Sequence, residues 1–568
     1  MNTHFEIANR PAGARALPAA DRSRPLALSF GQERLWFLDE VSADSGAYNV
    51  PHAYRLHGPF DHLAMQRGLN LLAARHEILR TAFAPGRDGL PEQRIAAALE
   101  LVVAEDDLSS VPAHEREVQL ERLLRAETAK PFNLAREPLL RARSIRLAPE
   151  EHVFILVLPH ILTDDWSSAI IERELSVLYA AALEGADPEL PDLPLQYADY
   201  AAWEREWLTP ERLERQLAFW RSQLADVEPL PLPASRRGPS TPTFAGASVE
   251  ARLPAALRDG LFGLARTERT TPFVILLAAV HALLARHAGA KRIAVGAPTA
   301  GRPRREFEGL IGFFVNMLVF RGDVSGDPTF RELLARTRAT AVAAYSHRDI
   351  PFQRVVAELR TERELGRNPV FQVGLTVDAV TRGALELPQI VATPILVRTP
   401  TALFDLEFEF RVEEDDLVAA VVYNSDRFDE ETAEQLVAHL TNILTAVASD
   451  PDTPIGRLPI VGDERPLLAR SGGHARPDTT APETESAPVE AATGAAAAVA
   501  ASWQAALGVA SLAPDDNFFE LGGRSLLAVQ VTADLKEQLG RRVPLLMLFD
   551  NPTFSEFAAA VVGLVEPS

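Results

Sequence analysis

Leu156-Val157-Leu158-Pro159-His160-Ile161-Leu162-Thr163-Asp164-Asp165-Trp166-Ser167 is the stretch from which the rest of the chain can be read. Val153 to Leu158 is an unbroken apolar run rich in β-formers, the pattern of a buried strand. Pro159 has no N–H to give to a ladder and ends it. His160 therefore stands where strand gives way to turn. Asp164 and Asp165 follow, and then a helix over about Ser167 to Ala182. A histidine at a strand end with a carboxylate four residues on has the chemistry of a proton-transfer unit. The same spacing also fits a histidine satisfied by local backbone.

Composition sets the outer bounds. A chain of 568 residues, 47% of them hydrophobic, can bury a large core and should hold about three or four folding units. The formal net charge of -21 argues against nucleic acid and against an anionic membrane surface as partners. The sequence has no cysteine, which excludes disulfides, thiolate metal sites and a cysteine nucleophile, so any thiol must come from a prosthetic group. No metal site is expected. No apolar secretory signal opens the chain, and the longest apolar stretch, Phe273 to Ala285, is too short to span a bilayer. The expectation is a cytoplasmic protein without a membrane partner.

Met1 to Pro25, rich in Ala, Arg, Pro and Asp and without periodicity, reads as a flexible leader. From Leu28, Ser29 can cap a helix carrying Leu35, Trp36 and Leu38. Phe60 to Arg75 is an amphipathic helix, and His76 just after it is a second candidate base. Tyr197 to Trp203 precedes a charged helix over about Glu204 to Leu224. The prolines from Pro229 to Pro242 mark a connection between two lobes. The second lobe echoes the first: an apolar helix, Pro272 to His287, precedes a strand, Arg292 to Gly296, as a helix and strand do near residues 60 to 83. The basic loop Gly301-Arg302-Pro303-Arg304-Arg305 leads into Ile311 to Val319. Strands are expected at Val370–Val377, Leu406–Val412 and Leu417–Tyr423, and a closing helix at Glu430–Ala448.

Pro466 to Thr493 has the Pro, Ala, Thr, Glu and Ser content of a disordered linker. A small helical unit follows, with Ala495 to Leu507 its first helix. In Leu521-Gly522-Gly523-Arg524-Ser525-Leu526, Ser525 opens a helix that runs to about Leu539. A hydroxyl at a helix start lies beside free N–H groups and a positive dipole end, a favourable place for a phosphodiester. An ordinary N-cap serine would look the same.

An ordered set of motifs carries a resemblance. It comprises Ser29 to Leu38, Arg75-His76-Glu77 with Leu79-Arg80-Thr81, the His160 stretch, Tyr197 to Trp203, Gly312-Phe313-Phe314-Val315-Asn316, His347-Arg348-Asp349-Ile350-Pro351-Phe352 and Phe404-Asp405-Leu406. Through them the first 460 or so residues resemble a nonribosomal peptide synthetase condensation domain. The remainder resembles a peptidyl carrier protein. The resemblance implies an α/β fold of two chloramphenicol-acetyltransferase-like lobes in a V with a tunnel between them, plus a four-helix carrier bundle. The implied boundaries are residues 1–25 (leader), 26–228 (N-lobe), 229–465 (C-lobe), 466–493 (linker) and 494–568 (carrier). It also implies the chemistry: an acceptor amine attacks a carrier-bound acyl or peptidyl thioester donor, forming an amide, or an ester from an alcohol. His160 matches the catalytic histidine and Asp164 the structural aspartate of the family's His-His-x-x-x-Asp-Gly motif. Arg302 is the expected partner of that aspartate, and Ser525 the attachment point of 4'-phosphopantetheine. The implied partners are an upstream donor carrier and an adenylation enzyme, both in trans, and a phosphopantetheinyl transferase.

The motif is changed twice. Pro159 replaces the first histidine, and Asp165 replaces a glycine that can serve a special backbone angle or a close approach. Asp165 is expected to add bulk and charge toward the tunnel. Non-condensing relatives that recruit tailoring enzymes to a carrier also have degenerate motifs, so a recruitment platform is the alternative reading. An acyltransferase acting on a soluble acceptor is a third, which would not need the fused carrier. No Gly-x-Ser-x-Gly elbow, Walker loop or dinucleotide fingerprint occurs.

Overall fold

The computed structural model describes residues 17–565 except 18, 42–45, 87–88, 137, 233–243, 360–367, 369, 379–384, 414–415, 461–493, 522, 524 and 542. The expected linker, Pro466 to Thr493, and most of the connection from Pro229 to Pro242 lie outside the described residues. The strands are β1 (Leu26–Ala27), β2 (Asn49–His57), β3 (Thr81–Pro85), β4 (Pro91–Ile95), β5 (Ala104–Asp107), β6 (Arg141–Ala148), β7 (Glu151–Pro159), β8 (Gly246–Leu253), β9 (Arg292–Thr299), β10 (Asn316–Asp323), β11 (Val373–Asp378), β12 (Val391–Ile395), β13 (Leu406–Glu413) and β14 (Asp416–Asn424). The helices are α1 (Phe30–Val41), α2 (His62–Arg75), α3 (Ala113–Ala129), α4 (Asp165–Glu184), α5 (Tyr197–Trp207), α6 (Pro210–Leu224), α7 (Ala255–Thr267), α8 (Pro272–Ala288), α9 (Phe330–Ser346), α10 (Phe352–Leu359), α11 (Glu430–Ser449), α12 (Gly494–Leu507), α13 (Ser525–Leu539), α14 (Leu545–Asp550) and α15 (Phe554–Val565).

The apolar run that precedes His160 becomes β7, central in a five-stranded sheet of order β12-β2-β7-β6-β5. Val153, Ile155 and Val157 face one core and Phe154, Leu156 and Leu158 another, so both faces are buried and the run needs no polar alternation. Pro159 closes the strand opposite Asn49. A second sheet, β10-β9-β11-β13-β14-β8, carries α7, α8, α9 and α11 on its core face. The echo between lobes is partial: β9 sits inside this large sheet, whereas β3 belongs to a separate three-stranded sheet, β1-β4-β3.

Three findings revise the sequence reading. The helix expected over Glu204 to Leu224 is two helices. Tyr197 to Trp203 does not precede a helix but opens α5, through a capping box between Gln196 and Asp199; Thr209 then caps α6 with Pro210 in its first turn. Next, α6 buries Leu217, Trp220 and Leu224 in the second lobe's core, so the division between lobes falls near Leu208 rather than at residue 228. Last, the end of the expected leader is anchored, because Arg22 pairs with both Asp199 and Glu77.

The lobes also exchange segments. Phe307, Leu310, Ile311, Phe313 and Phe314 pack into the first lobe's core, as do Leu385, Leu387 and Ile390. β12 extends the first lobe's sheet by pairing with β2. A chain that crosses this often resists separation of its halves. The C-terminal helices α12 to α15 enclose fully buried Trp503, with Phe557 stacked on it and Phe518 edge-on to it. This unit touches α1 through Phe37 and Phe549, whose ring centroids are 6.0 Å apart.

Candidate functional site

His160 begins a short helical turn, His160–Leu162, between β7 and α4. Its backbone N–H donates to Tyr48 O at 2.7 Å, and its ring packs edge-on against Phe313 with centroids 5.0 Å apart. Nδ1 lies 2.7 Å from Thr163 O. A carbonyl can only accept, so Nδ1 is the donor of this bond, and in the neutral ring the lone pair is then on Nε2. The ring is half-buried and held in one tautomer, the arrangement a proton acceptor needs.

Asp164 does different work. It is the N-cap of α4, with Oδ1 accepting from Ser167 N at 2.8 Å. The same carboxylate accepts from Arg302 Nη1 and Nη2, both at 3.0 Å, and from Phe314 N at 3.0 Å. Four donors saturate it, so it has no lone pair directed at a substrate. Arg302 also donates to Ser167 Oγ and Leu310 O, and its guanidinium lies 4.1 Å from the Phe314 ring centroid. Gly312 completes this knot: a Cβ there would come within 1.8 Å of the Tyr197 ring, while its N–H and C=O both bond Ser167 Oγ. The Gly-Phe-Phe motif, Tyr197 and the His160 stretch are thus one contact between lobes.

Asp165 is exposed, the first residue of α4, and makes no hydrogen bond or ion pair among the described residues. Its backbone is helical, not left-handed, so the glycine's conformational freedom is not required here; its charge at a helix start is favourable. His76, the second candidate base, is buried and bonded through Nε2 to Glu174 Oε2 at 2.7 Å, beside Arg75. Burial pushes the Glu174 carboxyl up, but His76 and Arg75 outweigh it and hold it below the usual value. His76 belongs to a buried structural contact with Glu174. Sequence reasoning missed Thr163, Tyr48 and Ser167 as the groups that orient the site; a Ser three residues after a capping Asp was the available signal for the last.

Between the lobes lies a cavity of about 70 Å³ walled in part by Arg34, Glu204, Arg302, Phe313 and Gln353. Phe313 separates it from His160. In the C-terminal unit Ser525 is the first residue of the 15-residue helix α13, and Gly523 packs so closely on Phe518 that a Cβ would approach its backbone O to 2.4 Å.

The profile of the condensation domain matches residues 23–466, and that of the phosphopantetheine attachment site residues 497–561. The chain belongs to the condensation-domain family. With its carrier it is a condensation–carrier didomain of the nonribosomal peptide synthetase kind. It is 42% identical over 79% of its length to a linear gramicidin synthase of Brevibacillus parabrevis, of which it spans 6%. It is 37% identical over 81% of its length to phosphinothricin tripeptide synthetase PhsC of Streptomyces viridochromogenes, of which it spans 43%. Among solved structures, the X-domain from teicoplanin biosynthesis superposes with a TM-score of 0.72 at 30% identity, covering 79% of this chain and 100% of that one. The first condensation domain of the calcium-dependent antibiotic synthetase shares the fold, with a TM-score of 0.66 at 20% identity over 78% of this chain and 100% of its own.

The carrier of this didomain is a site for 4'-phosphopantetheine, and its residues fit that group: a hydroxyl-bearing residue opens a full-length helix, behind a glycine that lets the preceding turn close. Among the described residues no single helix is long and apolar enough to cross a membrane.

Proposed function

We propose that this didomain joins a carrier-bound acyl or peptidyl thioester donor to an acceptor amine, with Ser525 as the attachment residue of the fused carrier. The observation that carries the reading is the His160 imidazole, its Nδ1 committed to Thr163 O and no hydrogen bond given to its Nε2 among the described residues. 4'-Phosphopantetheine supplies, when bound, the thiol on which an acyl chain is carried. His160 Nε2 takes or orients the amine proton as the amine nitrogen attacks the thioester carbonyl; the C–S bond then breaks and the proton passes to the departing thiolate of the donor arm, while Asp164 and Arg302 hold the two lobes in register around it. No adenylation segment lies between residues 466 and 494, so the amino acid on Ser525 is supplied by an adenylation activity outside the didomain, in this reading an enzyme acting in trans. A donor carrier and a phosphopantetheinyl transferase complete the set of partners. An alcohol acceptor would give an ester by the same steps.

A specific observation favours a second reading, recruitment of a tailoring enzyme: the X-domain from teicoplanin biosynthesis resembles this chain at 30% identity, and in a solved complex that domain binds OxyB. The deciding experiment is intact-protein mass of the aminoacyl-loaded chain after mixing with an acyl-loaded donor carrier. A mass gain equal to the acyl group, absent in His160→Ala, supports condensation. No gain with several donors, together with stable binding of a monooxygenase to the two-lobe region, supports recruitment.

A further inference from the structure

α1 opens on a residue choice that the helix itself does not demand. Gln32 Oε1 accepts from Ser29 N, and Ser29 Oγ accepts from Gln32 N, both at 3.1 Å, the reciprocal bonds of a capping box. Glutamate makes that box equally well. Gln32 is fully buried, and its amide has a second use: Nε2 donates to Ile161 O at 3.4 Å, inside the turn His160–Leu162. A carboxylate here would set an oxygen against that carbonyl. The amide therefore answers to the turn as well as to the helix.

The neighbouring residue, Gly31, reaches His160 through a ring. A Cβ on Gly31 would stand 2.9 Å from Phe313 Cδ1 and Cε1, and the Phe313 ring is edge-on to the His160 imidazole. Phe313 cannot yield through its backbone. Its carbonyl accepts from the Tyr197 hydroxyl, Gly312 is bonded on both sides to Ser167 Oγ, and Phe314 N donates to Asp164. A methyl at position 31 must therefore move the ring, and the imidazole is the ring's neighbour. We propose, on the reading of His160 as the group that meets the amine, that Gly31 and Gln32 are positioning residues for it. Gln32 holds the turn by the Ile161 carbonyl, and Gly31 leaves the space in which the Phe313 ring sets the tilt of the imidazole.

The test uses the full chain with aminoacyl-loaded Ser525 and an acyl-loaded donor carrier. Gly31→Ala and Gln32→Met should each slow single-turnover amide formation at saturating donor by about ten- to a hundredfold, with the donor concentration for half-maximal rate unchanged. Gln32→Glu, which keeps the cap, should be as slow as Gln32→Met. Phe313→Leu makes room for the methyl, so Gly31→Ala added to it should cost nothing more, whereas independent effects would multiply. A second readout needs no turnover. In histidine-labelled chain the His160 imidazole resonance, identified as the one that His160→Ala removes, should move in Gly31→Ala and Gln32→Met while the other imidazole resonances stay. A wild type that forms no amide ends the condensation reading and leaves this resonance to decide the positioning. An unmoved His160 resonance in both variants overturns the proposal, as do wild-type rates in both, and a Gln32→Glu chain at the wild-type rate overturns the role of Gln32.

Discussion

Arg302 and Asp164 come from opposite lobes and meet as a bidentate pair, Nη1 to Oδ2 and Nη2 to Oδ1 both 3.0 Å, with side chains 3% and 2% exposed. Neither faces solvent, and the aspartate also caps α4. The pair fixes where the turn bearing His160 sits relative to the second lobe.

Removing one partner of a buried pair typically costs about 3–5 kcal/mol, because the other charge is left uncompensated. Asp164→Asn should therefore lower the unfolding midpoint clearly. Asp165→Gly removes an exposed charge that makes no bond and should change it by less than about 1 kcal/mol. Thermal unfolding of the two variants separates the roles, and equal loss in both would remove the structural assignment of Asp164.

Ser525 starts α13, and the motif around it is that of a carrier. A phosphopantetheinyl transferase with coenzyme A should add one arm to the wild-type chain and none to Ser525→Ala. Mass spectrometry of the intact protein reads this directly; an arm on the variant would move the attachment elsewhere.

The second lobe should be acid-sensitive. His281 is buried with Nε2 3.2 Å from Phe320 O, and burial lowers its pKa to about 4 despite that carbonyl. His287, stacked on His439, is likewise lowered to about 4 by burial, then by His439 and Arg286. Both fall below the unfolded value near 6.5, so the stability they confer is present above about pH 6.5 and is lost as pH falls toward 4. Each contributes a slope of about 1.4 kcal/mol per pH unit in that window. In urea titrations between pH 4.5 and 7, His281→Gln should have a shallower pH slope by about one proton, whatever its absolute stability. An unchanged slope would mean that His281 is not held neutral.

Much of this was legible in the residues. The run before His160 read as a buried strand, whereas the capping of α4 by Asp164 appeared only in the structure, where the helix starts two residues earlier than the pattern suggested. The resemblance carried the two-lobe fold and the carrier. What spacing could not show was what lies between lobes. Arg302 and Asp164 are 138 residues apart, and no periodicity links them. β12 has no strong pattern of its own, since Val391, Thr393 and Pro394 are exposed on an edge; it is a strand because β2 offers it a partner. The break between α5 and α6 was visible in Thr209-Pro210 but was outweighed by the continuous charge pattern. His76 looked like a base because its partner, Glu174, lies on another helix.

His160 is the residue on which the condensation reading depends. It follows a strand that ends at the lobe boundary, with the family aspartate four residues on, and its Nδ1 is held by Thr163 O; in the proposed reaction Nε2 is the nitrogen that meets the substrate. A platform that only binds a partner needs no oriented imidazole, whereas proton transfer does. General acid–base catalysis by one side chain contributes about 10²–10⁴-fold. His160→Ala should cut amide formation by that factor while leaving the melting temperature and Ser525 loading near wild type, because among the described residues the ring's hydrogen bond goes to one carbonyl and its aromatic contact to one ring edge. Asp165→Gly should match or exceed the wild-type rate, since the helical backbone at 165 accepts either residue and the change only removes charge and bulk beside the turn. Single-turnover assays with acyl-loaded donor carrier and aminoacyl-loaded Ser525 measure both. A His160→Ala rate within a factor of a few of wild type would leave the imidazole a structural group and hand the site to another residue.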